Sequence, residues 1–380
     1  MTNNFKSDIM RSYFILCLIL ITQLSFGQQS QKQAVLDQLN RVNSYWQSHH
    51  KPQVWAFWDQ AAYHTGNMEL YKIQPSKKYL RYSEDWAQHN GWEGAKSDDK
   101  ANWKYTYGET DDHVLFGDWQ ICFQVYIDLY QLSPQPHKIA RAKEVMNYQI
   151  HTANNDYWWW ADGLYMVMPV MTRMYKLTHD PLYLDKLFTY MQYADSIMYD
   201  EEEKLYYRDA KYVYPKHKTT QEKKDFWARG DGWVFAALAR VMEDLTPDSP
   251  HYSHYKTRFE EMAAAIVACQ QPEGYWTRSM LDPQHAPGRE TSGTAFFTYG
   301  LLWGINHGLL AAPQYRDAAL LGWRYLSQTA VQPDGRVGYI QPIGEKAIPG
   351  QVVDARSTAP FGVGAFLLAG TQMYRYLDRQ

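Results

Sequence analysis

The stretch 173-RMYKLTHDPLYLDKL-187 decides how this chain folds. An apolar helical stripe ends near Leu177, a short turn carries Pro181, and a second stripe begins at Leu182 and continues through 182-LYLDKLFTYMQYADSIM-198. Apolar and aromatic residues at three- and four-residue spacing mark amphipathic helices, and a proline just past the stripe marks the stop. The same junction recurs in 128-DLYQLSPQPHKIARA-142, 240-RVMEDLTPDSPHYSHY-255 and 305-INHGLLAAPQYRDAAL-320, about 45–70 residues apart. A helix–turn–helix unit repeated at such a period signals stacked helical hairpins.

Working outward, amphipathic runs fall at about 31–48, 53–71, 75–88, 115–132, 136–150, 161–178, 180–197, 230–244, 251–271, 291–309, 313–329 and 358–377, while strand alternation is scarce. Twelve helices in six hairpins predict an all-α chain closed into an (α/α)6 barrel, with an inner and an outer ring. Longer connections at 89–114, 151–161, 198–229, 272–290 and 330–357 alternate with the short turns, so they gather at one end of the barrel. Loops collected on one face of a rigid scaffold are where function is expected.

The 380 residues are 45% hydrophobic and 21% charged with a net charge of −3, which is a globular composition. No basic excess offers nucleic acid a phosphate-neutralising footprint. Aromatic residues make up 16%, with 15 Trp and 31 Tyr, a density that suits stacking on sugar faces and equally a thick helical core. Lys6 and Arg11, the apolar run 13-YFILCLILI-21 and the small residues of 22-TQLSFG-27 read as a signal peptide over residues 1–27. An exported protein, periplasmic or secreted and free of the membrane once the signal is removed, is the expectation, with residues 28–380 as a single barrel domain. Cys122 and Cys269 sit on apolar helix patterns and read as buried thiols.

Four stretches carry chemistry. In 157-YWWWADGLYM-166, Asp162 stands where a loop meets a helix. Either it caps the helix, or the rings beside it exclude water and raise its proton affinity enough to make it an acid. Asp118 in 116-FGDWQICFQVYIDLY-130 opens another helix at the same barrel end, where it either only caps that helix or faces Asp162 as a second carboxylate. In 226-FWARGDGWVFAAL-238, Trp227, Arg229 and Trp233 flank two glycines before a helix; Arg229 either forks onto a carboxylate or makes a structural ion pair. Thr291 and Ser292 of 289-RETSGTAFFTYG-300, like the hydroxyls of 354-DARSTAPFGVGAFLLAG-370, either cap a helix or face a sugar. There is no zinc-type His/Cys spacing, phosphate loop or nucleophile elbow, so neither metal nor cofactor is expected.

Taken with 54-VWAFWDQAAYHTGNMELY-71, 117-GDWQICFQVYIDLY-130, 158-WWWADGLYM-166, 227-WARGDGWV-234, 290-ETSGTAFFTYG-300 and 364-GAFLLAG-370, the chain resembles the unsaturated glycuronyl hydrolases. More closely it resembles the unsaturated rhamnogalacturonyl hydrolases of glycoside hydrolase family 105, sister to family 88, over residues 53–376. The resemblance implies an (α/α)6 barrel and a metal-free hydrolase. Such an enzyme removes the 4,5-unsaturated uronic acid from the non-reducing end of lyase-made anionic oligosaccharides, of uronyl-rhamnose type. An aspartic acid protonates C4, water adds at C5, and the hemiketal opens to free the next sugar. The catalytic aspartate matches Asp162, the second active-site aspartate Asp118, and the substrate-binding residues Trp227, Arg229 and Trp233. His64, Trp159, Arg208, Thr291 and Ser292 complete the candidate binding residues; alternation puts Trp158 and Trp160 on one side and leaves Trp159 to line the pocket. Lys211, Lys216, Lys218, Lys223 and Lys224 form either a solvated face or a seat for a sulfated sugar. An inverting glycosidase using Asp118 and Asp162, or a non-catalytic sugar-binding protein, stands as the alternative; monomer and homodimer are both open.

Overall fold

The computed structural model describes residues 28–379, so the signal-peptide reading lies outside the described residues. Within them the chain forms α1 (28–49), α2 (Trp58–Ile73), α3 (Lys77–His89), α4 (Cys122–Leu132), α5 (Ala140–His151), α6 (Ala161–Thr178) and α7 (Leu182–Met198). A two-residue antiparallel pair follows, β1 (Tyr199–Asp200) and β2 (Leu205–Tyr206). The remaining helices are α8 (Ala228–Asp244), α9 (Tyr252–Ala268), α10 (Thr291–Asn306), α11 (Pro313–Tyr325) and α12 (Pro360–Asp378).

The even-numbered helices close a ring, α2 on α4, α4 on α6, α6 on α8, α8 on α10, α10 on α12 and α12 back on α2. Odd-numbered helices pack outside, giving the (α/α)6 barrel. The sequence already separates the two rings. Inner α10 buries every residue except Ile305, whereas outer α11 buries only Ala318, Ala319, Gly322, Trp323 and Tyr325, one stripe of an amphipathic helix. At the α2–α12 seam the backbones touch. A methyl group on Gly66 would lie 2.3 Å from the Gly364 carbonyl oxygen, and one on Gly364 would lie 2.3 Å from that of Ala62. Only glycine permits that approach.

Each inner helix from α2 to α10 runs into the next outer one through a short turn, as where α6 stops at His179 in the left-handed conformation (φ 58°). Five hairpins are therefore contiguous, and the sixth is assembled from α12 and α1. Lys32 pairs with Asp378 and lies 4.5 Å from the centre of the Tyr374 ring, while Leu39 packs over Gly370. The long connections all precede inner helices. The six inner helices thus run parallel, with their N-termini at the loop-bearing end, where helix dipoles favour negative charge. At the opposite end Arg173 lies 3.3 Å from Asp128 and 3.8 Å from Asp244, and Arg240 lies 3.7 Å from Glu69.

Several boundaries differ from the periodicity, three of them with a local cause. Helix α2 begins at Trp58 rather than 53, because Phe57 is extended (φ −71°, ψ 164°). Residues 117–119 make a separate 3₁₀ turn before α4, so Asp118 stands ahead of that helix rather than at its start. After α11 the chain continues through a π turn at Leu326–Ala330. Cys122 is buried, Cys269 is half-buried, and both are free thiols. No helix among the described residues is long and apolar enough to cross a membrane.

Candidate active site

The long connections enclose a cleft of about 430 Å³ at the N-terminal end of the inner ring. Asp59, Asp118 and Asp162 line it, together with Trp159, Trp160 and Arg208. Asp59 and Asp162 are each the second residue of an inner helix, α2 and α6, and Asp118 sits in the 3₁₀ turn ahead of α4. Local pairing fixes the entry to α6. The Ala161 N–H donates to the Arg208 carbonyl (2.8 Å) and Trp160 bridges to Asp209, which brings the 205–211 loop over Asp162.

All three aspartates are nearly buried, at 6–8% exposure, and each has one carboxylate oxygen without a hydrogen-bond partner. Burial raises the pKa of Asp162, opposed first by the Arg208 guanidinium and then by Arg229. Burial raises Asp118 well above the usual range, and charge on Asp162 pushes it further in the same direction. Asp59 is also raised by burial, with Gln60 opposing. Desolvation disfavours the charged form, so this cleft keeps its acids protonated more readily than water would. Burial holds both members of the pair toward the protonated form, and Asp162 also has a cation beside it. Arg208 Nε lies 3.5 Å from Asp162 Oδ2, and Nη1 donates to Asp209 Oδ2 at 2.6 Å.

Two of the three consecutive tryptophans wall the cleft. Trp159 is half-buried, donates through Nε1 to the Tyr105 carbonyl (3.1 Å) and has Arg208 5.8 Å from its ring centre. Trp160 lies between Phe116 and Trp159. The Trp160 ring lies against bare Gly163, where a methyl group would sit 3.0 Å from it. Trp158 is turned into the core against Tyr190. Alternation thus places Trp159 as expected and misplaces Trp160, since the chain turns into α6 immediately after it.

The other sequence candidates do not line the cleft. Arg229 is sandwiched between Trp227 (4.5 Å) and Phe361 (4.7 Å) and donates to the carbonyls of Gln341 (2.7 Å) and Pro342 (2.9 Å). Its partners are backbone oxygens of the loop that carries Gly344 and Glu345 into the cleft, and burial lowers its pKa to about 10. Trp227 donates to Gln341 Oε1 (2.8 Å), and Trp233 is fully buried against Tyr165 and Phe296. His64 faces outward to α3, bonded to Ser83 (2.9 Å) and stacked on Trp86, with burial lowering its pKa to about 3. Thr291 bonds Tyr325 and the Gly338 carbonyl, and Ser292 donates to Glu290, the residue that caps α10. Of these, Trp227 and Arg229 hold the 341–345 loop that borders the cleft, and the others are buried in the body of the barrel. The lysine run divides as well: Lys224 pairs with Asp200 and Glu202, Lys218 pairs with Glu222, and Lys211 alone reaches the cleft.

Sequence reasoning passed over Asp59, Tyr107, Glu109 and Glu345, and put Trp160 on the side away from the cleft. A signal existed for Asp59, because 55-WAFWD-59 repeats the pattern of aromatics leading into an acid that marks 158-WWWAD-162. Among the described residues no three His, Cys, Asp or Glu side chains are grouped to hold a metal ion.

The profile of Glycosyl Hydrolase Family 88 matches residues 30–377. The "Unsaturated 3S-rhamnoglycuronyl hydrolase" of Formosa agariphila is 32% identical over 328 residues, 84% of each chain. A solved structure of a glycosyl hydrolase family 88 protein from Bacteroides vulgatus is 60% identical, covers 91% of this chain and 99% of its own, and superposes with a TM-score of 0.89. Another, described as a polysaccharide lyase, is 64% identical, covers 92% and 99%, and superposes at 0.90.

Proposed function

Because the chain belongs to glycosyl hydrolase family 88, we propose that it removes a 4,5-unsaturated uronic acid from the non-reducing end of lyase-made oligosaccharides by hydrating the double bond. The observation that carries this reading is Asp162: buried, with a free carboxylate oxygen, walled by Trp159 and Trp160, and displaced toward its neutral form. Protonating carbon is slow, so the acid must be protonated, dry and held over its target. Asp162 delivers its proton to C4, leaving positive charge on C5 that is shared with the ring oxygen. Water attacks C5 and returns a proton to the Asp162 carboxylate. The C5 hemiketal opens to a ketone, and the hemiacetal left at C1 expels the next sugar as an alcohol. Asp118, still protonated, donates a hydrogen bond to substrate, and Arg208 with Lys211 pairs the uronate carboxylate. The proposal extends to export by residues 1–27 and to action as a monomer or homodimer, with residues 28–380 as one catalytic domain.

A second reading rests on the 64% identical structure described as a polysaccharide lyase. A lyase creates the same double bond by removing the C5 proton, which requires an ionised base. The displacement of Asp59, Asp118 and Asp162 toward their neutral forms favours proton donation instead. One assay separates the readings. The conjugated double bond absorbs in the ultraviolet, so hydration bleaches lyase-made oligosaccharides, whereas a lyase makes absorbance grow on saturated ones. Loss of bleaching in Asp162→Asn supports hydration. Cleavage of saturated substrate without an absorbance change points to an ordinary glycosidase, and binding without turnover to a sugar-binding protein.

A further inference from the structure

We propose that the sugar attached to the unsaturated uronate is uncharged, and that Glu109 and Glu345 reject a sulfated one. The inference rests on the hydration reading for which sugar sits where, and concerns the mouth of the cleft rather than its acids.

The charged side chains lining the cleft are Asp59, Glu109, Asp118, Asp162 and Glu345 against Arg208 and Lys211. The aspartates are nearly buried, whereas Glu109 is exposed and Glu345 half-buried, so these two glutamates are the carboxylates at the mouth. Burial raises the pKa of Glu345, but a hydrogen bond from Tyr212 (2.6 Å) and the charges of Arg208 and Lys211 outweigh it and lower the pKa overall. Both cations are already engaged: Arg208 with Asp209 and Glu345, Lys211 with Glu345 at 3.3 Å. They can exchange one carboxylate for another when the uronate enters. After that, no lining cation remains for a second anionic group, because the other lysines of the 205–227 loop pair elsewhere or stay off the cleft.

What the mouth offers instead is apolar surface. Trp55, Tyr107 and Ile343 all line it, at 41%, 60% and 64% exposure, three of the six large apolar side chains exposed among the described residues. Flat rings and a branched methyl surface suit the apolar face of a neutral pyranose. The Tyr107 hydroxyl donates to Glu109 Oε1 at 2.9 Å, which holds that carboxylate at the rim. A sulfate ester on the second sugar would meet these two carboxylates with no compensating cation.

The test uses two unsaturated disaccharides that differ only in a sulfate on the second sugar. Bleaching by the intact enzyme is followed at low and physiological salt, and binding to Asp162→Asn is measured by calorimetry. The unsulfated compound is expected to show at least a tenfold higher kcat/KM at low salt. The gap should narrow as salt screens the carboxylates and shrink in the double variant Glu109→Gln/Glu345→Gln. Equal or better turnover of the sulfated compound overturns the proposal, and an unchanged ratio in the double variant overturns the assignment to these two residues. If neither compound bleaches but the unsulfated one binds more tightly, the hydration reading falls and the selection stands. If neither binds, or the sulfated one binds equally well, the selection falls.

Discussion

Arg208 Nε lies 3.5 Å from Asp162 Oδ2, so the acid with the free oxygen in the cleft has a cation directly beside it. Burial pushes the Asp162 proton on and the guanidinium pushes it off. Such a balance keeps an acid able both to give a proton and to take one back from water within one turnover.

Removing the cation tips the balance in a known direction. Arg208→Met is expected to raise the Asp162 pKa, because the charge that favours the ionised form is gone. Activity that needs protonated Asp162 then persists to higher pH, so the alkaline limb of kcat/KM shifts upward while KM rises through the lost uronate partner. A limb that moved downward would reverse the role given to Asp162.

Asp162→Asn keeps the shape of the side chain and deletes the proton. A general acid contributes on the order of 10²–10⁴ in rate, and kcat is expected to fall by that factor with the circular dichroism spectrum unchanged. A fall of less than tenfold would move the acid's role to Asp118 or Asp59.

Asp118 is expected to weaken the fold at neutral pH. Its folded pKa is raised well above the ordinary 3.8 by burial and by Asp162. The stability linked to that proton is complete below 3.8 and is lost as pH rises through the folded value. Asp118→Asn cannot ionise, so its melting temperature should match the parent near about pH 4 and exceed it increasingly toward about pH 8. A constant difference across that range would show that charge is not the cause.

Arg229 bears on the cleft through the 341–344 carbonyls rather than through substrate. Arg229→Met strands those carbonyls, and hydrogen bonds to a charged donor are worth roughly 1.5–3 kcal/mol. Lower stability, faster amide exchange at the Gln341–Glu345 loop and a KM effect exceeding the kcat effect are expected. A variant with unchanged exchange in that loop would remove the bracing role.

Gly364→Ala tests the barrel seam. The added methyl group meets the Ala62 carbonyl oxygen at 2.3 Å unless α2 and α12 separate, and overpacking of this kind costs about 1–3 kcal/mol. Thermal stability should drop while activity per folded molecule stays near the parent's, since the seam lies away from the lining residues.

The barrel was largely legible in the sequence because burial leaves a period behind. The run 182–198 is a helix in both readings, and the alternation of short and long connections told which end would carry the cleft. The boundaries slipped at residues 53–57, where 55-WAF-57 looks apolar enough to be helical but is extended so that Trp55 and Phe57 reach the cleft. At the site, Asp118, Trp159, Asp162 and Arg208 are brought together as read. Trp227, Arg229 and Trp233 are not, because spacing shows which residues share a helix face and nothing of what that face meets. The partners of Arg229 are carbonyls more than a hundred positions later in the chain. His64 was misplaced for the same reason: its helix lines the cleft only at its first turn, and His64 lies beyond that turn.

The pairing of α12 with α1 also bears on how the molecule is made. A ring whose last seam joins its first and last helices cannot close until the whole chain is present, so contacts of very long sequence separation come late and folding should be slow for an all-helical protein. It also means that the ring has no preferred starting point. With Lys32 of α1 paired to Asp378 of α12, a circular permutant of residues 28–379 opened in the turn between α8 and α9, with a short linker joining residues 28 and 379, should rebuild the same barrel and the same cleft.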